Sequence, residues 1–315
     1  MEFLLLLALP ILGFAFSGSG HDDDKPDEPD HTGETLTGGD GSDTLLGTAR
    51  DDQISGLGGD DSLIGNAGDD TISGSDGDDF VDGSAGDDQL YGGAGNDLVL
   101  GLSGDDSLFG GRGSDVMLGE EGNDQISLGS GNDVSWVDDE VSNYAFEHGQ
   151  LGDDVVHGEA GNDEIWDYSG QNTLDGGDGN DIVSATDNQL DGWETAAQAS
   201  DHVAGGAGDD LLIGDDGDTL TGGSGNDLMV TVHERDDAEA ITVTDYDGNE
   251  DRLELDVDQR VADLSQWTLF SQTDADTGTV TVGLESNADP DQTIELAHLL
   301  NANNFAISQV SVFQF

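Results

Sequence analysis

Eleven aspartates stand nine residues apart without a miss, from Asp43 through Asp52, Asp61, Asp70, Asp79, Asp88, Asp97, Asp106, Asp115 and Asp124 to Asp133. A unit this short cannot bury an apolar face of its own, so a strict repeat of it demands a solenoid in which neighbours stack on one another. An acid at one phase of every unit also makes a row of identical ligand sites rather than a single active site. Turn signals and surface solvation explain Asp-Gly pairs but not their register. Acids are 71 of 315 residues, which leaves eleven acids out of eleven at one phase beyond composition.

With the phase set by Gly38-Gly-Asp-Gly-Ser-Asp-Thr-Leu-Leu46, eleven nonapeptides cover 38–136. Position one is Gly except at Leu128, position four is Gly except at Arg50, and position six is always Asp. Position eight is aliphatic or Met, from Leu45 and Ile54 to Met117 and Ile126, and fails only at Ser135. Glycine permits positive φ and close backbone approach, so positions one and four are expected to turn the chain and aim carbonyl oxygens at a common point. Position eight, flanked by polar neighbours, is the inward residue of a strand of about three residues. Two units make a coil of eighteen residues, and stacked coils make a parallel roll with a wall of turns along each side.

These columns resemble the RTX, or haemolysin-type, calcium-binding repeat, Gly-Gly-x-Gly-x-Asp-x-U-x with U a large apolar residue. The resemblance runs closely over 38–136 and resumes over 149–184, with Gly158-Glu-Ala-Gly-Asn-Asp163 and Gly176-Gly-Asp-Gly-Asn-Asp181 as its best units. A third block covers 205–230, with Gly205-Gly-Ala-Gly-Asp-Asp210 and Gly222-Gly-Ser-Gly-Asn-Asp227, and 214–221 is one residue short. The resemblance implies a calcium-bound parallel β-roll, and alternating runs after 230 add a small antiparallel β domain, which makes the fold all-β. The resemblance also implies calcium held between turns one coil apart by position-six carboxylates and backbone carbonyls of the glycine-rich stretch. Carried onto this chain, the pairs run from Asp43 with Asp61 to Asp115 with Asp133, about nine ions in the first block, with Asp154, Asp163, Asp181, Asp210 and Asp227 as ligands in the later blocks. Oxygen donors alone suit calcium. Position two departs from the pattern, keeping Gly only at Gly39, Gly93, Gly111 and Gly129, and Arg50 marks the pair Asp52 and Asp70 as the weakest.

Charge points the same way. Six basic against 71 acidic residues give a formal charge of −65, so the carboxylate stack repels itself until cations enter it. The expectation is a roll disordered without calcium and folded with it, unfolded in a calcium-poor cytosol and folded outside. So few basic residues also exclude nucleic acid as a partner. No cysteine is present, so calcium takes the part that disulfides play in many secreted chains.

Around the repeats the chain divides further. Residues 1–16 hold an apolar run, Phe3 to Phe16, that reads as a signal-like segment or an anchor, although Glu2 stands where a basic n-region belongs. Residues 17–37 read as an acidic linker, 137–148 as an insertion loop, and 185–204 as an insertion with a degenerate repeat. Trp136, Tyr144, Phe146 and Trp193 mark these interruptions, as loops packing on the roll or as a glycan-contacting face. Residues 231–315 read as a C-terminal β domain, with alternation on both sides of an Asp-Gly turn over Ile241–Leu255 and again over Thr277–Val282. The tail, Ile307 to Phe315, resembles the C-terminal signal read by type I secretion machinery.

Catalysis finds no footing: neither His-Glu-x-x-His nor Gly-x-Ser-x-Gly occurs, and His21, His31, His148, His157, His202, His233 and His298 are scattered. The chain therefore reads as a non-enzymatic, extracellular calcium-binding scaffold, adhesin or matrix component, secreted by a type I system and in contact with polysaccharide or a cell surface. The alternative is the calcium module of an epimerase-like polysaccharide-modifying system, or a glycan-binding accessory protein.

Overall fold

The computed structural model describes residues 33–136, 152–167, 170–186, 200–233, 240–257, 264–289, 292–302 and 304–314. The apolar N-terminal segment, most of the linker, the insertion 137–148 with Tyr144 and Phe146, and Trp193 lie outside these residues.

Each nonapeptide contributes one strand, and consecutive strands go to opposite sheets. Among the described residues one sheet has fourteen strands and the other twelve. Within a sheet, neighbours through the first block are parallel and eighteen residues apart, as in Ile54↔Ile72, Ile72↔Leu90 and Leu90↔Leu108 in the first sheet. Leu63↔Val81, Val81↔Val99 and Val99↔Met117 do the same in the second. These position-eight side chains are fully buried, and together they form the core, an apolar ladder between the sheets. Ser135 holds its place in that ladder, wholly buried, with its hydroxyl unpartnered.

The strands are longer than expected, six residues such as Gln53–Gly58 and Ser62–Ala67, because pairing runs on through positions one to three. The roll also starts inside the stretch read as linker, since Thr35–Thr37 pairs with Gln53–Gly58. The interruptions leave the stack in register. Position-six residues one coil apart are thirty residues apart in sequence across the first insertion, twenty-nine across the second and seventeen across the short unit. Hydrogen-bonded ladders tolerate inserted or deleted residues where the chain leaves the strands, as loops in repeat proteins do.

The C-terminal region does contain antiparallel strands: Trp267–Thr273 pairs with Val280–Ser286, which pairs with Thr293–Leu299. The alternating run 241–255, however, is not a hairpin. Ile241–Val243 joins the first sheet in parallel and Arg252–Val257 the second, so this run is one more coil of the roll. Alternation about an Asp-Gly turn is common to both outcomes; Asp251 two residues before buried Leu253 repeats the position-six, position-eight spacing and decides for the coil. The last strand, Val310–Gln314, extends the second sheet in parallel. Among the described residues no helix is long and apolar enough to cross a membrane.

Candidate metal centres

The position-six aspartates face inward along the two walls of turns and are almost wholly buried, Asp43 at the first turn excepted. On each wall, the main-chain N–H of one aspartate donates to Oδ1 of the next coil's. One wall runs Asp43 to Asp61 (2.7 Å), Asp61 to Asp79 (2.8 Å), Asp79 to Asp97 (2.8 Å), Asp97 to Asp115 (2.9 Å) and Asp115 to Asp133 (2.8 Å). It continues through Asp163, Asp181, Asp210 and Asp227 to Asp251. The other runs from Asp52 through Asp70, Asp88, Asp106, Asp124 and Asp154 to Asn172, Asp201 and Asp218. The structure thus brings together every aspartate that the repeat singles out, in pairs one coil apart.

Four members of these walls fell outside the motif reading: Asn172, Asp201, Asp218 and Asp251. The signal was present, since each stands two residues before a buried aliphatic, Leu174, Val203, Leu220 and Leu253. The glycines that define a unit were missing or shifted there, and those were weighted too heavily. Position five carries a second, exposed ladder of opposite sense, also unread. The N–H of the later coil donates back to the earlier side chain, as in Asp69 to Asp51 (3.1 Å), Asn96 to Asp78 (2.8 Å) and Asp153 to Asn123 (2.9 Å). Asp105 in this row is held below the usual carboxylate range by the Asn123 backbone N–H.

At most members of the inner ladders only one carboxylate oxygen is used, the exceptions including Asp218, whose Oδ2 accepts the Asp215 N–H at 2.8 Å, and Asp251, whose Oδ2 accepts the Asp247 N–H at 2.6 Å. Oδ2 of Asp61, Asp70, Asp79, Asp88, Asp97, Asp106, Asp115, Asp124 and Asp133 is buried without a hydrogen-bond partner, and so is Oδ2 of Asp163, Asp181, Asp210 and Asp227. Such an atom, repeated from coil to coil, is costly unless a cation meets it. Position-one glycine explains where the cation would fit. A Cβ on Gly92 would lie 2.5 Å from Asp97 Oδ2 and 2.8 Å from the Gly110 carbonyl oxygen, and one on Gly176 would lie 2.6 Å from Asp181 Oδ2 and 2.8 Å from the Gly205 carbonyl oxygen. The expectation that position one turns the chain is therefore corrected: positive φ belongs to positions two and four, and position one keeps a space clear between oxygens. At position two, Leu57 (φ 80°), Leu102 (φ 80°) and Glu120 (φ 76°) accept a left-handed conformation that glycine takes freely.

The first coil differs. Asp43 Oδ2 accepts the Gly39 N–H at 2.6 Å, and Asp52 Oδ2 accepts the Thr48 N–H at 2.5 Å and the Thr48 hydroxyl at 3.0 Å. Burial pushes the Asp52 carboxyl up, but N–H groups of Thr48 and Glu34 outweigh it and leave the group below its ordinary value. In the interior burial wins. It raises Asp88, Asp97 and Asp163 to about 7 and Asp106 to about 8, with Asp124, Asp133, Asp210 and Asp227 at about 6. Among the described residues no three His, Asp or Glu side chains converge on a point, so a cation here would take carboxylates from two coils and main-chain carbonyls. That all-oxygen set of mixed type fits calcium and suits neither zinc nor copper.

A family model for the RTX calcium-binding nonapeptide repeat, in four-copy units, matches residues 37–72, 64–99, 100–134, 148–183 and 196–229, more than half of the chain. The chain belongs to the RTX calcium-binding repeat family. RTX repeats bind calcium, and the matched spans coincide with the two walls. They include the stretch around Asp201 and Asp218, which the glycine pattern misses and the hydrogen-bond ladder includes, and end before Asp251, the last member of one wall. No curated protein matches the chain.

Proposed function

We propose that this RTX protein is secreted and folds on binding calcium outside the cell, where the roll serves as a non-catalytic scaffold, adhesin or matrix component. In this reading calcium sits between coils, held by position-six carboxylates one coil apart and by position-one carbonyls, about nine ions over 38–136. The observation that carries it is the row of buried Oδ2 atoms without donors, each except that of Asp133 beside a glycine whose missing Cβ leaves room among oxygens. Calcium supplies the positive charge those oxygens lack; the chain supplies register, burial and an oxygen-only cage. At −65 formal charge the same ions relieve repulsion along both walls.

Export by type I machinery reading the tail, and contact with extracellular polysaccharide or a cell surface, complete the reading. Both rest on the family and on the apolar tail Ile307 to Phe315. The decisive experiment is a calcium titration of chelator-treated protein, followed by far-ultraviolet circular dichroism and by calorimetry for stoichiometry. The expected result is a cooperative gain of β signal with several ions bound per chain. An unchanged spectrum, or a stoichiometry of one or none, overturns the proposal.

A further inference from the structure

The two outer faces of the roll differ in kind. Positions seven and nine point outward, and in the first sheet they carry Gln53, Thr71, Gln89 and Ser107 in one row and Ser55, Ser73 and Ser127 in the other, broken by the stacked pair Tyr91 and Phe109. In the second sheet the same positions carry Phe80, Leu98, Val116 and Val134 in one row. The other row there carries Leu100, Leu118, Trp136 and Trp166. The apolar character extends from Leu46, 60 % exposed, to Val230, with Ser62, Asp82, Glu164 and Ser184 as interruptions, and Trp136 is 44 % exposed. A repeat period of nine conceals this. The apolar positions recur every eighteen residues, because only alternate units feed the second sheet.

We propose that the outer face of the second sheet is an interface on which a second copy of this chain packs face to face. Ten strands from Thr44–Leu46 to Leu228–His233 at about 4.8 Å spacing make a strip roughly 45 Å long. With a width of about 12 Å for two rows of side chains, it covers about 500 Å² on each copy. Two copies then bury about 1,000 to 1,100 Å², which reaches the size of a specific interface. A half-exposed apolar strip of this extent, with Leu46 and Trp136 its most exposed members, marks an interaction surface. Three observations select a second copy as its occupant. The strip is a sheet face whose side chains repeat at the strand spacing, so an inverted copy presents the same period and ridges seat between ridges, as in an isologous sheet-on-sheet contact. At a net charge of −65 the chain is repelled by anionic lipid surfaces. Finally, the rows are mostly aliphatic, with few of the polar groups that a sugar ligand needs beside its aromatic platform. The acidic walls also flank the strip, so the dimer requires the charge relief that bound cations bring.

Sedimentation velocity of the full chain in about 10 mM calcium, up to about 100 µM protein, tests this. The expected result is a dimer for the wild type and a monomer for Leu118→Glu, a weakening of at least tenfold, with Gln89→Glu on the opposite face still dimeric. Circular dichroism in calcium, run on each variant, separates loss of the interface from loss of the fold; should Leu118→Glu not fold, Leu100→Ser with Leu118→Ser probes the same contact. A monomeric wild type across the range overturns the proposal, as does equal dimerisation of the wild type and folded face variants. Binding of a monomer to phosphatidylcholine vesicles would overturn it in favour of a lipid surface.

Discussion

The first block and the coils after it keep the same two ladders but not the same cages. From Asp61 to Asp124 every coil has position-six Asp, a position-one glycine and an eighteen-residue spacing. Beyond that, Leu128, Asp167 and Ala185 occupy position one, all buried, Asn172 replaces a position-six aspartate, and coil spacing ranges from seventeen to thirty residues. Yet the N–H to Oδ1 ladder runs unbroken to Asp251, and the apolar ladder, interrupted at Ser135, runs to Leu253. Stacking thus needs an acceptor at position six and an apolar side chain at position eight, both of which Asn172 and Leu174 supply. An ion cage needs in addition the second carboxylate oxygen and the space that glycine leaves.

The largest break in this comparison is removal of calcium at neutral pH. The expected outcome is loss of the roll's circular dichroism, and hydrogen exchange at the buried amides around Leu63 to Met117 faster by at least about a hundredfold. Coils around Leu174 and Leu220, where Asn172 lacks the second carboxylate oxygen and Asp218 Oδ2 already accepts the Asp215 N–H, lose less.

Asp97 separates ladder from cage. Asp97→Asn keeps an acceptor for the Asp79 N–H, as Asn172 does naturally, so calorimetry should show one or two fewer calcium ions with little change in the calcium-loaded melting temperature. Asp97→Ala leaves that buried N–H unpaired as well, costing about 1 to 3 kcal/mol more by denaturant unfolding in calcium.

The raised carboxyls set a pH dependence whose sign differs between the two states. Asp88, Asp97 and Asp163 at about 7 and Asp106 at about 8 hold protons in the calcium-free roll that the unfolded chain has already lost. The folded state therefore binds more protons between about pH 4 and 8, so calcium-free stability falls as pH rises through that window. Dialysed, calcium-free protein should gain β signal on acidification from pH 8 to about 4.5. Calcium affinity should move oppositely, weakening below about pH 7 with proton release on binding, which titration in buffers of different ionisation enthalpy measures. A calcium-free spectrum that is flat with pH would remove burial as the cause of the shifts.

Gly92→Ala places a methyl group between Asp97 Oδ2 and the Gly110 carbonyl, and is expected to weaken calcium at that cage at least about tenfold. The mildest change is Leu57→Gly. Leu57 sits at φ 80° and is 47 % exposed, so relief of strain outweighs lost packing and stability rises by up to about 1 kcal/mol, seen as a small increase in melting temperature.

Much of this was legible in the residues. The register of Asp43 to Asp133 required a solenoid, and the columns around it located the inward side chain and both walls. Asn172, Asp201, Asp218 and Asp251 escaped because glycine spacing was read as the marker of a unit, whereas the ladder depends only on an acceptor two residues before a buried aliphatic. The run 241–255 was assigned to the antiparallel domain for a related reason: period-two alternation describes a strand, not its partner.

Chemical identity came from sequence alone: a repeated carboxylate, a repeated aliphatic and a repeated absence of Cβ are properties of residue types that point to oxygen coordination, and their resemblance to the RTX repeat names calcium. Tertiary structure decided which atoms remain unsatisfied, that position one keeps space where position two turns the chain, and that alternate units build one polar and one apolar face. Those outcomes depend on which strands become neighbours across eighteen residues of intervening chain, a pairing settled by stacking and burial rather than by any local preference.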